Sequence, residues 1–174
     1  ATGLPPGMSF NSTTRKLTGT PTTAGVYPVV VTATDSTYST CSGSRTINLR
    51  VCPVLNFSSL TTTGIVGTAY TSSAAASNGT GPYSYSVSAG TLPPGLTLAT
   101  GSGAVTGTPT TSGTYNFTIA ATDATSCPGS QDYTITISCP TITVTPNTLA
   151  FATVGSGYSQ TVAFGAVGLT GAYT

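Results

Sequence analysis

Short alternating runs of apolar and polar residues, separated by turn residues, continue along the whole chain. In residues 115–121 apolar side chains take every second position, and residues 27–33 match them at those positions. A second alternating run follows each of these, at residues 133–137 and 47–51, so each pair predicts a β-hairpin. Glycine and proline occur too often to leave room for a helix of ordinary length. The pattern therefore predicts an all-β chain.

The sequence contains an internal repeat. Several short motifs return about 87 or 88 positions later, and 174 residues hold about two such periods. The repeated pairs are residues 4–7 and 92–95, 19–23 and 107–111, 33–35 and 121–123, and 52–53 and 139–140. We therefore predict one complete repeat at residues 53–139, the C-terminal part of a repeat at residues 1–52, and the N-terminal part of the next at residues 140–174.

The complete repeat has the features of an immunoglobulin-like β-sandwich. About seven short strands fit between Cys52 and Cys139, as in two-sheet sandwiches of roughly 90–100 residues. Tyr27 and Tyr115 each start a penultimate strand, where such sandwiches carry a tyrosine whose hydroxyl bonds back to the preceding turn. The predicted core consists of Tyr85, Leu96, Leu98, Val105, Tyr115, Phe117, Ile119, Ile135 and Ile137. The fold prediction is tandem immunoglobulin-like β-sandwich repeats of about 87 residues.

Composition excludes most other classes of protein. Charged residues make up 4% of the chain, His is absent, and the acids are three Asp, so general acid–base catalysis has almost no groups to use. The net charge of +1 is too small for a surface that follows nucleic-acid phosphates. No apolar run approaches the roughly 20 residues of a membrane-spanning helix. We expect no enzyme, no cofactor, no nucleic acid and no membrane span.

Two aspartates stand at the place where a cation could bind. Asp35 and Asp123 each end a strand beside a Ser/Gly-rich loop. Calcium takes six to eight oxygen ligands and usually several carboxylates, whereas Asp132 is the one other acid near Asp123. Hydrogen bonds from loop amides to Asp123 are the favoured interpretation, and we predict no metal site.

The four cysteines predict disulfides, because their number is even and the composition is that of a secreted protein. Cys127 lies in a hairpin loop and Cys139 at the far end of the returning strand, too distant for a bridge between them. We expect Cys52 to pair with Cys127, and Cys41 and Cys139 to pair with cysteines of adjoining units. The alternative is two hairpin bridges, Cys41–Cys52 and Cys127–Cys139.

Short motifs also indicate sites of glycosylation. An Asn-x-Ser/Thr triplet is the acceptor for N-linked glycans, and Ser36 lies in an Asp-Ser-Thr triplet that resembles a bacterial O-glycosylation signal. Such triplets also arise by chance in a chain rich in Ser and Thr, so no site is favoured. The candidate acceptors are Ser36, Asn11, Asn56, Asn78 and Asn116.

The repeat resembles a known family. LPPGLTL at residues 92–98, VTGTPTTSGTYNFTIAATD at residues 105–123, a loop with a cysteine and a closing Cys-Pro are similar to the tandem bacterial Ig-like repeats of large secreted and surface proteins. The resemblance covers essentially the whole chain. It implies an extracellular or cell-surface location, and roles as adhesin stalks, spacers or units of extracellular fibres.

Two functions of different classes follow. The first is a structural repeat unit of an extracellular filament or adhesin stalk, in which the partial repeats at the two ends are completed by neighbouring copies, giving a head-to-tail homopolymer. The alternative is a carbohydrate-binding accessory module of a larger secreted protein, with surface glycans or host cell-surface ligands as partners. The absence of Trp disfavours the alternative, because sugar-binding sandwiches usually expose aromatic platforms.

Overall fold

The computed structural model describes residues 1–166. Every regular element in that range is a β-strand, and no helix in it is long and apolar enough to cross a membrane. The all-β prediction is confirmed. The chain divides into two units, the first at residues 1–55 and the second from Asn56 onward. The last eight residues of the predicted segment 140–174 lie outside the described range.

The first unit consists of two antiparallel hairpins. Strand β1 (Met8–Asn11) pairs with β2 (Lys16–Gly19), and the longer β3 (Gly25–Thr34) pairs with β4 (Ser42–Val51). In the long hairpin Val29 lies opposite Ile47, so that one face of the ladder carries apolar side chains from both strands.

The second unit is built from two main sheets. Its strands are β5 (Asn56–Phe57), β6 (Thr63–Ile65), β7 (Tyr70–Ser73), β8 (Ala76–Ser77), β9 (Ser84–Gly90), β10 (Leu96–Leu98), β11 (Ala104–Gly107), β12 (Gly113–Thr122), β13 (Pro128–Ser138), β14 (Ile142–Thr145) and β15 (Ala163–Ala166). One sheet has the order β6-β13-β12-β9 and the other β10-β11-β7. Two-stranded pairs β5-β8 and β14-β15 complete the unit.

The described structure has nine strands between Asn56 and Ser138, where the sequence predicted about seven. Between β7 and β8 the Ser58 hydroxyl donates to the Ser73 carbonyl at 2.6 Å and accepts the Ala75 N–H at 2.8 Å. A side chain thus bonds to the main chain where the two short strands are interrupted.

The core of the second unit lies between the two main sheets. Seven of the nine predicted core residues are buried, and the rings of Phe117 and Tyr133 stack with their centroids 6.0 Å apart. Leu98 is half-buried because it ends the edge strand β10. Tyr115 is half-buried because its hydroxyl reaches out to the Thr111 carbonyl, 3.2 Å away. The core is otherwise as predicted.

The tyrosine at the start of each penultimate strand makes the same bond in both units. Tyr115 donates to the Thr111 carbonyl, and Tyr27 donates to the Thr23 carbonyl at 3.0 Å. Each bond ties a strand to the turn four residues before it. The prediction of tyrosine corners is confirmed, and it supports an immunoglobulin-like fold for both units.

The repeated Leu-Pro-Pro-Gly motif is explained by a tight crossing of two segments. Gly95 has φ +90°, and a Cβ placed on it would collide with the Thr108 carbonyl. Gly7 has φ +85° and would collide in the same way with the Thr20 carbonyl. Both positions need a glycine, because L residues avoid this φ and no space remains for a side chain.

Candidate docking site

The first unit carries an open groove with purely apolar walls. Its volume is about 240 Å³, and it lies where strands β1 to β4 present their apolar side chains on one face. The residues that line it are Met8, Leu17, Val29, Val31, Ile47 and Leu49. We call this groove the docking groove. Its residues reach one face because side chains alternate along each strand.

Each residue of the docking groove has a counterpart at the same place in the second unit. Ile47 is 53% exposed, whereas its counterpart Tyr133 is 9% exposed. Leu17 is 38% exposed, whereas its counterpart Val105 is fully buried. Val29 and its counterpart Phe117 are both buried, so part of the docking groove is already covered within the first unit. All six counterparts are buried in the second unit, whereas in the first unit two of the groove residues are exposed, three are half-buried and one is buried.

The cover of these positions in the second unit comes from the segment before β10. Residues 56–90, the covering segment, contribute buried side chains to it, and their strands β7 and β9 pair with β11 and β12. The buried hydrophobic residues of the covering segment are Leu60, Tyr70, Ala74 and Tyr85. Tyr85, one of the predicted core residues, also accepts the Ala76 N–H on its hydroxyl at 2.8 Å.

The segment that follows β13 repeats the start of the covering segment, and we call its described residues, 140–166, the tail. Strands β14 and β15 pair with Val144 opposite Phe164, as β5 and β8 pair with Phe57 opposite Ala76. Ile142 is 53% exposed, whereas Leu55, its counterpart in the repeat, is 6% exposed. Other large apolar side chains of the tail are exposed as well: Leu149, Phe151, Val154 and Val162. The tail thus repeats the pairing of β5 and β8 with its apolar side chains exposed.

A buried carboxylate closes the loop of the long hairpin in the second unit. Asp123 accepts main-chain N–H groups from Thr80, Thr125 and Cys127 at 2.8–2.9 Å. The N–H donors of Thr80 and Cys127 are the largest causes that lower its pKa, to about 2. Hydrogen bonding of Asp123 to loop amides, the favoured interpretation of the sequence, is confirmed. Within residues 1–166 no group of three His, Cys, Asp or Glu side chains could hold a metal ion.

Replacing Asp123 by Asn will lower the urea midpoint of the chain at pH 7. An amide offers one acceptor oxygen where both oxygens of Asp123 accept, and it points N–H groups at N–H donors. Asp132→Asn is the matched control, because Asp132 is exposed and its bond to the Thr118 hydroxyl can be kept by an amide oxygen. We expect this control to change the midpoint little.

The same carboxylate predicts a pH dependence. The pKa of Asp123 is lowered from 3.8 to about 2 in the folded state, so its stabilising contribution is complete above pH 4 and is lost as the pH falls through 2. Between pH 4 and pH 2 the urea midpoint of the parent will fall more than that of Asp123→Asn. Equal falls in the two proteins would contradict the assigned role of Asp123.

The cysteines are in two states. Cys52 and Cys127 are disulfide-bonded, whereas Cys41 and Cys139 carry exposed thiols. Cys41 occupies the loop between β3 and β4, as Cys127 does between β12 and β13, and Cys139 follows β13. Pairing of Cys41 and Cys139 with adjoining units stays a prediction.

The predicted glycosylation sites all lie in exposed residues of the structure. The Asn11 side chain accepts the N–H groups of Thr13 and Thr14, and Asn116 accepts the Thr134 hydroxyl. Ser36 lies in the loop after β3. Modification of Ser36, Asn11, Asn56, Asn78 and Asn116 stays a prediction.

Comparison with known protein families identifies the class of the chain. The model of the "Putative Ig domain" family matches residues 1–51 and again residues 53–138. These two matches cover most of the chain, so the chain belongs to this family. The resemblance drawn from the sequence is confirmed, whereas the repeat length of about 87 residues and the boundaries 1–52, 53–139 and 140–174 stay predictions.

Relatives of the chain include an adhesin of Staphylococcus aureus. The chain is 35% identical over 134 residues to a "Serine-rich adhesin for platelets" of Staphylococcus aureus, a match that covers 71% of this chain and 5% of that protein. The corresponding protein of strain MRSA252 is also 35% identical, with 9% of it covered. The chain thus spans less than a tenth of the length of these relatives.

Solved structures resemble the chain more weakly. A "putative alpha-galactosidase" of Bacteroides fragilis shares 24% identity at a TM-score of 0.43, over 53% of this chain and 19% of that one. Protocadherin gammaB7 domains EC3-6 share 21% identity at a TM-score of 0.38, over 83% of this chain and 43% of that one. With TM-scores below 0.5, neither likeness supports a statement about function.

Proposed function

We propose that this chain is a structural repeat unit of an extracellular filament or adhesin stalk at the cell surface, and not an enzyme. Membership of the Ig-like family and the adhesin name of the S. aureus relatives support this location and role. Composition supports it too, since an almost uncharged chain without His has few groups for catalysis. Its work is mechanical: sandwiches placed end to end extend a binding domain away from the cell.

The partner of the chain is a second copy of itself. The observation that carries this proposal is the docking groove, whose six apolar residues are partly open in the first unit, whereas their counterparts are all buried in the second. The tail of one copy, with the pairing of the covering strands, completes the first unit of the next. Such a contact uses different surfaces on the two copies, so it continues into an open filament instead of closing.

Binding of a cell-surface ligand is the second candidate function. It is favoured by the name of the S. aureus relatives and by Tyr38, whose ring is 68% exposed in the loop after β3. An exposed tyrosine offers the stacking surface that a sugar ring uses. Binding to a glycan array that is lost in Tyr38→Ala would support this candidate. If the chain binds no glycan, only the structural role is left.

The structural proposal predicts self-association through the docking groove. Analytical ultracentrifugation of the whole chain will show species that grow with concentration. Ile47→Asp will reduce the association by at least about tenfold, because it places a charge where the arriving apolar segment must exclude water. Val26→Asp is the matched control: Val26 is equally exposed, on the same hairpin, and does not line the groove. A chain that stays monomeric at every concentration would refute the proposal.

A further inference from the structure

In the second unit the short strand β6 lies along one edge of the long hairpin. It pairs in parallel with the end of β13, where Gly64 lies opposite Ile137. The Thr136 N–H donates to the Thr62 carbonyl at 2.8 Å, so this amide points away from β12 and toward the segment of β6. Strand β6 thus takes up main-chain groups that β13 would otherwise leave open at the edge of the sheet.

The corresponding edge in the first unit belongs to β4. Within residues 1–166, β4 pairs with β3 alone. The register of β3 and β4 repeats that of β12 and β13, with Arg50 at the position of Thr136. The Arg50 N–H therefore points away from β3 and toward the edge of the hairpin. An edge strand with main-chain groups of this kind is a template on which another strand can pair.

The tail contains the counterpart of β6 beside a turn that is already formed. The Ser156 N–H donates to the Thr153 carbonyl at 3.1 Å, which repeats a bond of 3.1 Å in the turn after β6. Gly155 has φ +82°, and its counterpart Gly67 has φ +78°. Residues 151–153, the counterpart of β6, are exposed and belong to no strand of the described structure. The tail thus presents the β6 segment and its turn without a pairing partner among residues 1–166.

Two side chains fit this part of the tail to the end of β4. A Cβ placed on Gly64 would lie 2.8 Å from Cδ1 of Ile137, which is buried and has little room to move. In the tail the position of Gly64 is taken by Ala152, and in β4 the position of Ile137 is taken by Val51, which has no δ carbon. The methyl group of Ala152 therefore has room beside Val51, and the total volume of the pair is conserved.

We propose that residues 151–153 of one copy pair with the edge of β4 in a second copy, in parallel and with Ala152 opposite Val51. In this register the Arg50 N–H donates to the Ala150 carbonyl of the arriving tail. This inference rests on the proposed function, because it states where and in which direction the tail of one copy docks on the next. Apolar burial in the docking groove has no preferred direction, whereas main-chain bonds along an edge do.

An exchange of the two side chains tests this register by ultracentrifugation of the whole chain. Val51→Ile adds the δ carbon for which Ala152 leaves no room, and we expect it to weaken self-association by roughly tenfold or more. Adding Ala152→Gly to Val51→Ile repeats the pair found in the second unit and should restore the association of the parent. Val26→Ile is the matched control: it adds the same carbon to an exposed valine of β3 and should associate like the parent. An unchanged urea midpoint for Val51→Ile will show that the variant is folded.

Amide hydrogen exchange gives a second, independent readout on the parent protein. The Arg50 amide will exchange slowly at concentrations where the chain associates and rapidly where it does not. Three results would overturn the edge pairing and leave the proposed function standing: a parent that associates while the Arg50 amide stays unprotected, a Val51→Ile variant that associates normally, or no recovery when Ala152→Gly is added. A parent that never associates would overturn both.

Discussion

Phe117→Ala will destabilise the second unit by about 3–5 kcal/mol. Phe117 is 3% exposed and stacks on Tyr133, so truncation removes a large buried ring and leaves a cavity between the two sheets. Urea unfolding followed by tyrosine fluorescence measures the loss. Val87→Ala is the matched control: Val87 lies on the neighbouring strand β9 and is exposed, so we expect it to cost less than about 1 kcal/mol. Equal stability of Phe117→Ala and the parent would show that the assigned facing of β12 is wrong.

Cys52→Ser/Cys127→Ser will lower the free energy of unfolding by about 4 kcal/mol. Both cysteines are disulfide-bonded, and the sequence predicts that they pair with each other. A bond across about 75 positions removes much of the chain entropy of the unfolded state. Both residues are replaced so that no single thiol remains to form other bonds.

The matched control for this pair is Cys41→Ser/Cys139→Ser, which removes two exposed thiols and keeps the bond. It should unfold at the same urea concentration as the parent when both are measured as isolated chains. A control that loses as much stability as Cys52→Ser/Cys127→Ser would contradict the assignment of the stabilising bond.

Much of the fold could be predicted because the residues that determine each strand and turn are close together in the sequence. Alternation from Tyr115 to Ile119 places three side chains toward one face, and that face is the core in the second unit. The tyrosine corners were likewise visible as Gly-x-Tyr at the start of a strand. The break between β7 and β8 was not visible, because it depends on the Ser58 hydroxyl bonding to residues 15 and 17 positions away.

The candidate site has features that could not be predicted from the sequence. Asp35 and Asp123 occupy the same motif, Ala-Thr-Asp, and each follows a strand of the same type. In the structure Asp123 also accepts the Thr80 N–H, from 43 positions away along the chain. The sequence predicted that the partial repeats need neighbours. The six residues of the docking groove could not be predicted, since the groove depends on which side chains meet across strands β1 to β4.

The central claim is that the tail of one copy completes the first unit of another, and mixing two variants tests it most directly. Ile47→Asp disables the docking groove, and Ile142→Asp/Val144→Asp disables the tail strand β14. Each variant retains one working surface, so each alone should sediment as a monomer. The equimolar mixture should form a heterodimer and nothing larger, since one groove and one tail remain between them. A mixture that stays monomeric, or a single variant that still polymerises, would contradict head-to-tail completion.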